Sequence, residues 1–189
     1  MSAIKNIVLS LSLLALPVLS NALELGGNLP SLDVPSKGEL LIDGKEVQHQ
    51  PWSTNQITTG TPALIFHLAA RMSSDSIIAP LKKRLDENNY EPDSFQSISI
   101  INLNDALWGT SGLVSNELEK NKREHPQAIL VADDEGRGLD AWQLKKGTVA
   151  IILVDLNGEI RYLKQGKLND DDINTIITLL DEEIAKSKI

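Results

Sequence analysis

The residues best suited to chemistry gather in one short stretch, His67 followed by Arg71-Met72-Ser73-Ser74-Asp75. A guanidinium, two hydroxyls and a carboxylate stand here ahead of an amphipathic run. A helix N-terminus carries roughly half a positive charge and unpaired N–H groups, so with Arg71, Ser73 and Ser74 such a turn can bind a carboxylate or phosphate. The competing expectation is plain capping, in which Ser73 or Ser74 caps the helix and Asp75 answers its positive end. A hydrolytic triad of Ser73 or Ser74 with His67 and Asp75 has no GxSxG elbow to support it. His67 also lies in an apolar, strand-like run, where a hydrogen-bonded core histidine is the commoner state.

The chain has no cysteine, which removes thiol nucleophiles, CxxC redox chemistry and cysteine metal sites together. His49, His67 and His125 are far apart and lack HExxH-type spacing. Asp133-Asp134-Glu135 and Asp170-Asp171-Asp172 lack the DxDxDG pattern of a calcium loop. The second run is better read as the acidic first turn of a helix capped by Asn169. Neither a metal nor a cofactor is expected.

The elements that must position these residues follow from hydropathy patterning. Met1 to Ala22 has one cation, Lys5, an apolar run from Ile7 to Leu19 and the small-residue ending Ser20-Asn21-Ala22, the form of a cleaved export signal. That run falls short of the roughly 20 apolar residues a membrane span needs. Residues 1–22 are therefore expected to be removed after Ala22, leaving 23–189 as one domain without a membrane anchor. The leader holds one of the 18 Lys+Arg and none of the 26 Asp+Glu, so the remainder sets 17 positive against 26 negative side chains, a net of −9. Such a surface repels phosphate backbones, and nucleic-acid binding is not expected.

Glu39 to Ile42 reads as a short strand before a turn at Asp43-Gly44, and Lys45 to Pro62 as polar surface structure anchored by Trp52 and Ile57. Ala63 to Ala70 is a continuous apolar run, the pattern of a strand covered on both faces. An amphipathic helix over Asp75 to Asn88 follows, with Pro80 inside it. Ser97 to Leu103 and Gln127 to Ala132 are further strands flanking a helix over Ser111 to Glu124, packed through Leu113, Val114 and Leu118. Leu139 to Leu144 reads as a short helix carrying Trp142. Thr148 to Asp155 and Glu159 to Lys164 flank Asn157-Gly158, a strong hairpin signal. The last helix repeats Ile173, Ile176, Ile177, Leu180 and Ile184 at helical spacing. Early strands joined through helices lie parallel and the hairpin adds an antiparallel pair, which predicts a mixed sheet with helices on both faces.

This order, with Pro80 in the first helix, resembles a thioredoxin-like α/β three-layer sandwich. Counting back from Pro80 places Met72-Ser73-Ser74-Asp75 where that fold carries CxxC, with both cysteine positions replaced. The fold's cis-proline would fall near Thr148 or Val149, and no proline follows Pro126. A thioether cannot ionise and an aspartate is no sulfur nucleophile, so thiol-disulfide exchange is excluded. His67-Leu68-Ala69-Ala70-Arg71, Asn104-Asp105-Ala106 through Gly109 and Gly112, Leu118-Glu119 to Asn121-Lys122 and Ala141-Trp142-Gln143-Leu144 together resemble the YtfJ family of exported bacterial proteins. The resemblance implies a periplasmic thioredoxin-like protein and no established activity.

In redox relatives the corresponding groove holds extended peptides. Here Trp142 would edge it and Thr148 would offer backbone hydrogen bonds, although Trp142 also suits a packing role. The reading is a periplasmic binding or interaction module for a peptide, protein or small anionic ligand, with Arg71, Ser73, Ser74, His67, Trp142 and Thr148 as candidate ligand-binding residues and none as catalytic. The rivals are a non-thiol enzyme built on Arg71, Ser73 or His67, and a structural partner in an envelope complex.

Overall fold

The computed structural model describes residues 22–106 and 111–188. Most of the expected leader, up to Asn21, and Gly109 of the family-like stretch lie outside the described residues. Seven strands and four α-helices follow in chain order: β1 (Asp33–Asp43), β2 (Glu46–Ser53), β3 (Ala63–Ala69), α1 (Met72–Asn88), β4 (Gln96–Asn102), α2 (Ser111–Glu124), β5 (Ile129–Asp133), α3 (Arg137–Ala141), β6 (Val149–Val154), β7 (Ile160–Gln165) and α4 (Asp170–Lys186). They form one mixed sheet in the order β2-β1-β5-β4-β3-β6-β7.

The central strand β3 is buried at every position because it is flanked and covered on both sides, parallel to β4 and antiparallel to β6. Its side chains alternate between two cores. Leu64, Phe66 and Leu68 pack against Ile78 and Leu81 of α1 and the Ile173, Ile176, Ile177, Leu180 and Ile184 stripe of α4. Ala63 and Ile65 face the opposite side, with Leu32, Val34, Trp52 and Trp142. The right-handed β3-α1-β4 and β4-α2-β5 crossovers put both helices on one face. Leu118 of α2 accordingly meets Leu40, Leu130 and Ala132 there. The other face is closed by the short α3 and the N-terminal segment.

Three expectations are corrected. The polar stretch after Gly44 is not merely a surface connection, because Glu46–Ser53 forms β2, an antiparallel partner of a β1 that starts at Asp33. Its strand character was hidden because an edge strand that buries little beyond Trp52 shows no apolar alternation. Helix α1 begins at Met72 and runs on through Pro80, whose ring faces solvent. The proline's missing N–H removes only the bond to the exposed Ser76 carbonyl. Leu113 of α2 is not packed: it is 71% exposed.

The terminal helix follows its capping signal. Asn169 accepts from the Asp172 N–H at 2.8 Å and Asp172 accepts from the Asn169 N–H at 2.9 Å. Asp172 also receives the Tyr162 hydroxyl at 2.9 Å and the Lys164 ammonium at 3.2 Å, which ties α4 to β7.

Lys122 secures the junction between α2 and β5. Although charged, it is buried, and its Nζ donates to the carbonyls of Pro126 at 3.0 Å and Ala128 at 2.7 Å. Burial pulls its pKa down, against the opposing influence of Glu39. Lys122→Met removes a charged donor from two carbonyls and is expected to cost about 1–3 kcal/mol. Urea unfolding checks this: the midpoint should fall while the slope stays unchanged.

Candidate functional site

Three parallel strands carry a polar residue at or near their carboxyl ends on the same face of the sheet. His67 of β3, Asn102 of β4 and Asp133 of β5 keep the side-chain parity of Ile65, Ile100 and Val131, and Asn102 lies in register with both Ala69 and Asp133. All three are buried, where an apolar core would be expected. Carboxyl ends of parallel strands are where α/β sheets place their sites.

Asp133 accepts the N–H groups of Arg137 at 3.0 Å and Gly138 at 2.8 Å, so its carboxylate caps α3 from below. Helix α3 is thereby held against the His67 ring. At Gly138 a Cβ would lie 2.8 Å from His67 Nε2, so only glycine allows this approach. Trp142, at the C-terminal end of α3, meets the imidazole edge-on with ring centres 6.3 Å apart. Among the described residues His67 Nε2 has no hydrogen-bond partner. Burial lowers the imidazole pKa to about 4, against the opposing influence of Asp133 and Asp105.

Asp105 links this buried cluster to the surface. One carboxylate oxygen accepts from Gly147 N–H at 3.0 Å and from the Asn102 amide at 3.3 Å, while its backbone carbonyl accepts from Arg71 Nε at 3.1 Å. The guanidinium lies against Gly147, where a Cβ would come within 3.2 Å of Arg71 Cζ and where φ is +71°. A side chain at position 147 would displace the guanidinium. Arg71 Nε is thus fixed, and among the described residues neither Nη has a hydrogen-bond partner.

Beyond Arg71, on the α1 and α2 face, opens a cleft of about 560 Å³. Leu68, Ala70 and Ile101 line it from the sheet, Val114, Glu117, Leu118 and Asn121 from α2, and Arg71 and Asp75 from the start of α1. Met72, 92% exposed, and Leu113 stand on its lining. Together they extend the apolar surface of the cleft towards solvent.

The sequence-predicted residues divide. Arg71 lines the cleft, whereas Ser73 is exposed and is not on its lining. Ser74 is not a free hydroxyl: it is buried and donates to the Ala69 carbonyl at 2.7 Å. Neither serine caps α1, whose N-cap is Arg71 without a side-chain bond. No triad forms, because His67 points to the face opposite α1. Trp142 is 1% exposed and its indole donates to the Pro30 carbonyl at 3.0 Å, so it packs the core and edges no groove. Thr148 offers less backbone than expected, since its carbonyl already accepts from Ala69 N–H. Sequence reading missed Asn102, Asp105, Asp133, Gly138 and Gly147. The signal available for Asn102 and Asp133 was an asparagine or aspartate ending the apolar strands β4 and β5.

Residues 23–183 match a family described as "Bacterial protein of unknown function (YtfJ_HI0045)". The chain belongs to the YtfJ family. A Haemophilus influenzae relative described as an uncharacterized protein is 34% identical over 158 residues, 84% of this chain and 85% of that protein. The uncharacterized protein YtfJ of Escherichia coli is 29% identical over 175 residues, 92% of this chain and 95% of that protein. Among solved structures, the thioredoxin domain of a thiol-disulfide oxidoreductase from Bacteroides vulgatus superposes with a TM-score of 0.54 at 20% identity, covering 84% of this chain and 99% of that one. A reduced 2-Cys peroxiredoxin from Plasmodium vivax gives 0.56 at 15% identity, covering 87% and 99%. These two likenesses establish the thioredoxin-like fold and nothing further. This YtfJ-family chain keeps that architecture without any cysteine.

Proposed function

We propose that this protein is an exported, periplasmic binding module without thiol chemistry, which holds a peptide, a protein segment or a small anionic ligand at the Arg71 end of the α1–α2 cleft. The observation that carries the reading is the guanidinium itself. Its Nε is fixed by the Asp105 carbonyl and its plane by Gly147, while neither Nη group, beside a largely apolar cleft, has a hydrogen-bond partner among the described residues. A fork held in this way is suited to a carboxylate or another planar anion, because little side-chain entropy is lost on binding. Export is supported by the leader-like first 22 residues and by the family match starting at residue 23. Among the described residues no helix is long and apolar enough to cross a membrane.

Native mass spectrometry of protein taken from a bacterial periplasmic fraction tests both parts. The polypeptide mass should correspond to a chain starting at Leu23. A bound species should accompany the wild type and be lost from Arg71→Ala at equal folded yield. A mass that includes the leader would contradict export. Identical bare spectra for the two proteins, with no partner recovered by cross-linking, would remove the binding role.

A further inference from the structure

We propose that the α1–α2 cleft binds an aliphatic monocarboxylic acid, with its chain along Leu68, Ala70, Ile101, Val114 and Leu118 and its carboxylate on the Arg71 guanidinium. This inference rests on the binding role above and names the ligand class. The cavity volume, about 560 Å³, lies within the ~300–1,000 Å³ range typical of small-molecule sites. Among the described residues its lining is chiefly aliphatic, with Glu117 and Asn121 on the α2 side and no aromatic ring. That favours a flexible alkyl chain. Met72 and Leu113 extend the apolar surface, and the unbranched thioether of Met72 can adapt to chains of different length.

The charge pattern narrows the head group. Among the described residues of the lining Arg71 is the sole cation, and Asp75 and Glu117 are the two carboxylates. Glu117 sits 3.7 Å from Lys120, which partly neutralises it. A dianion would meet net repulsion from this lining, whereas a single carboxylate can pair with the Arg71 fork and leave the far end apolar. A cationic amphiphile would meet Asp75 only beside the Arg71 charge that repels it.

Isothermal titration of the purified, delipidated protein with hexanoate, octanoate and decanoate, kept below micellar concentrations, tests this. Each methylene that enters the cleft should raise affinity roughly fourfold. Decanoate should bind at least ~10-fold more tightly than decanol or decylamine, and Arg71→Gln should bring decanoate down to the decanol level. Met72→Gln combined with Leu113→Ser changes only exposed positions. It should weaken decanoate and decanol alike, severalfold, without moving the melting temperature of the free protein.

Absence of decanoate binding, affinity independent of chain length, or equal affinity for decanol or decylamine would overturn the assignment. If decanoate fails while the Arg71-dependent species persists in native mass spectra, the aliphatic acid is wrong and the binding role stands. If both fail, both fall.

Discussion

Asp133→Ala is expected to lower the unfolding free energy by about 2–4 kcal/mol, since it strands the buried Gly138 N–H and the part-buried Arg137 N–H and a buried donor left without an acceptor costs ~1–3 kcal/mol. The side chain is fully buried and accepts from both the Arg137 and Gly138 N–H groups. Water cannot replace it without entry into the core. A domain of this size is stable by roughly 5–15 kcal/mol in total, so the loss is a large fraction, equivalent to a melting temperature lower by roughly 10 °C. Asp133→Asn keeps the shape and one acceptor, and should lose about half as much. A structural consequence follows from the same contacts. Freed from Asp133, α3 no longer presses Gly138 onto His67, and the Trp142 indole N–H, bonded to Pro30, should exchange with solvent faster. Hydrogen exchange at Gly138 and Trp142 reads this directly. Slow exchange at both positions in Asp133→Ala would show that packing of Trp142 alone secures α3.

The same residue shows where sequence patterning stops being informative. Periodicity located β3, the α4 stripe and the Asn157-Gly158 hairpin because each depends on neighbours in the chain or on a repeated apolar spacing. The Asn169 cap was legible for the same reason, since its partner Asp172 is three residues away. Asp133, by contrast, stands in an acidic run that looks like a solvated turn. What decides its role is the register that sets it beside Asn102 and the return of α3 over the end of β3, and both are long-range facts. Arg71 was found because arginine before a helix is a local signal. Its orientation depends on Asp105 and Gly147, which lie 34 and 76 positions further along and meet it only through the β3-β4 and β3-β6 pairings. Trp142 was misplaced for a related reason: an aromatic residue after a short helix reads alike whether the helix lies on the sheet or beside it. Edge strand β2 escaped because strand character without burial leaves no alternation to detect.

Stability should also depend on pH in a window set by His67. Its pKa falls from 6.5 to about 4 on folding, chiefly through burial, so between these values the unfolded chain binds more protons than the native one. Stability therefore rises with pH across this window: it is fully present above about pH 6.5 and is lost as pH falls towards 4. A difference of this size corresponds to about 3 kcal/mol at ~1.4 kcal/mol per pKa unit. The cause lies in the geometry. Protonated Nε2 would carry a hydrogen towards Gly138, where no acceptor is available and no room remains, and the attraction of Asp133 and Asp105 only partly offsets the lost hydration. His67→Gln, which cannot titrate, should flatten the profile between pH 4 and 6.5, whatever its stability at neutral pH. Asp172 does not confuse the reading. The Asn169 N–H, then Tyr162 and Lys164, hold its carboxyl below the usual range, so its contribution persists through the histidine window and is lost only at lower pH. Removing the Asp133 charge provides an internal check, because the His67 pKa should then fall further, an effect visible in the imidazole proton shifts of Asp133→Asn. Parallel profiles for wild type and His67→Gln between pH 4 and 6.5 would mean that water reaches the ring and that the packing of α3 over His67 is looser than these contacts require.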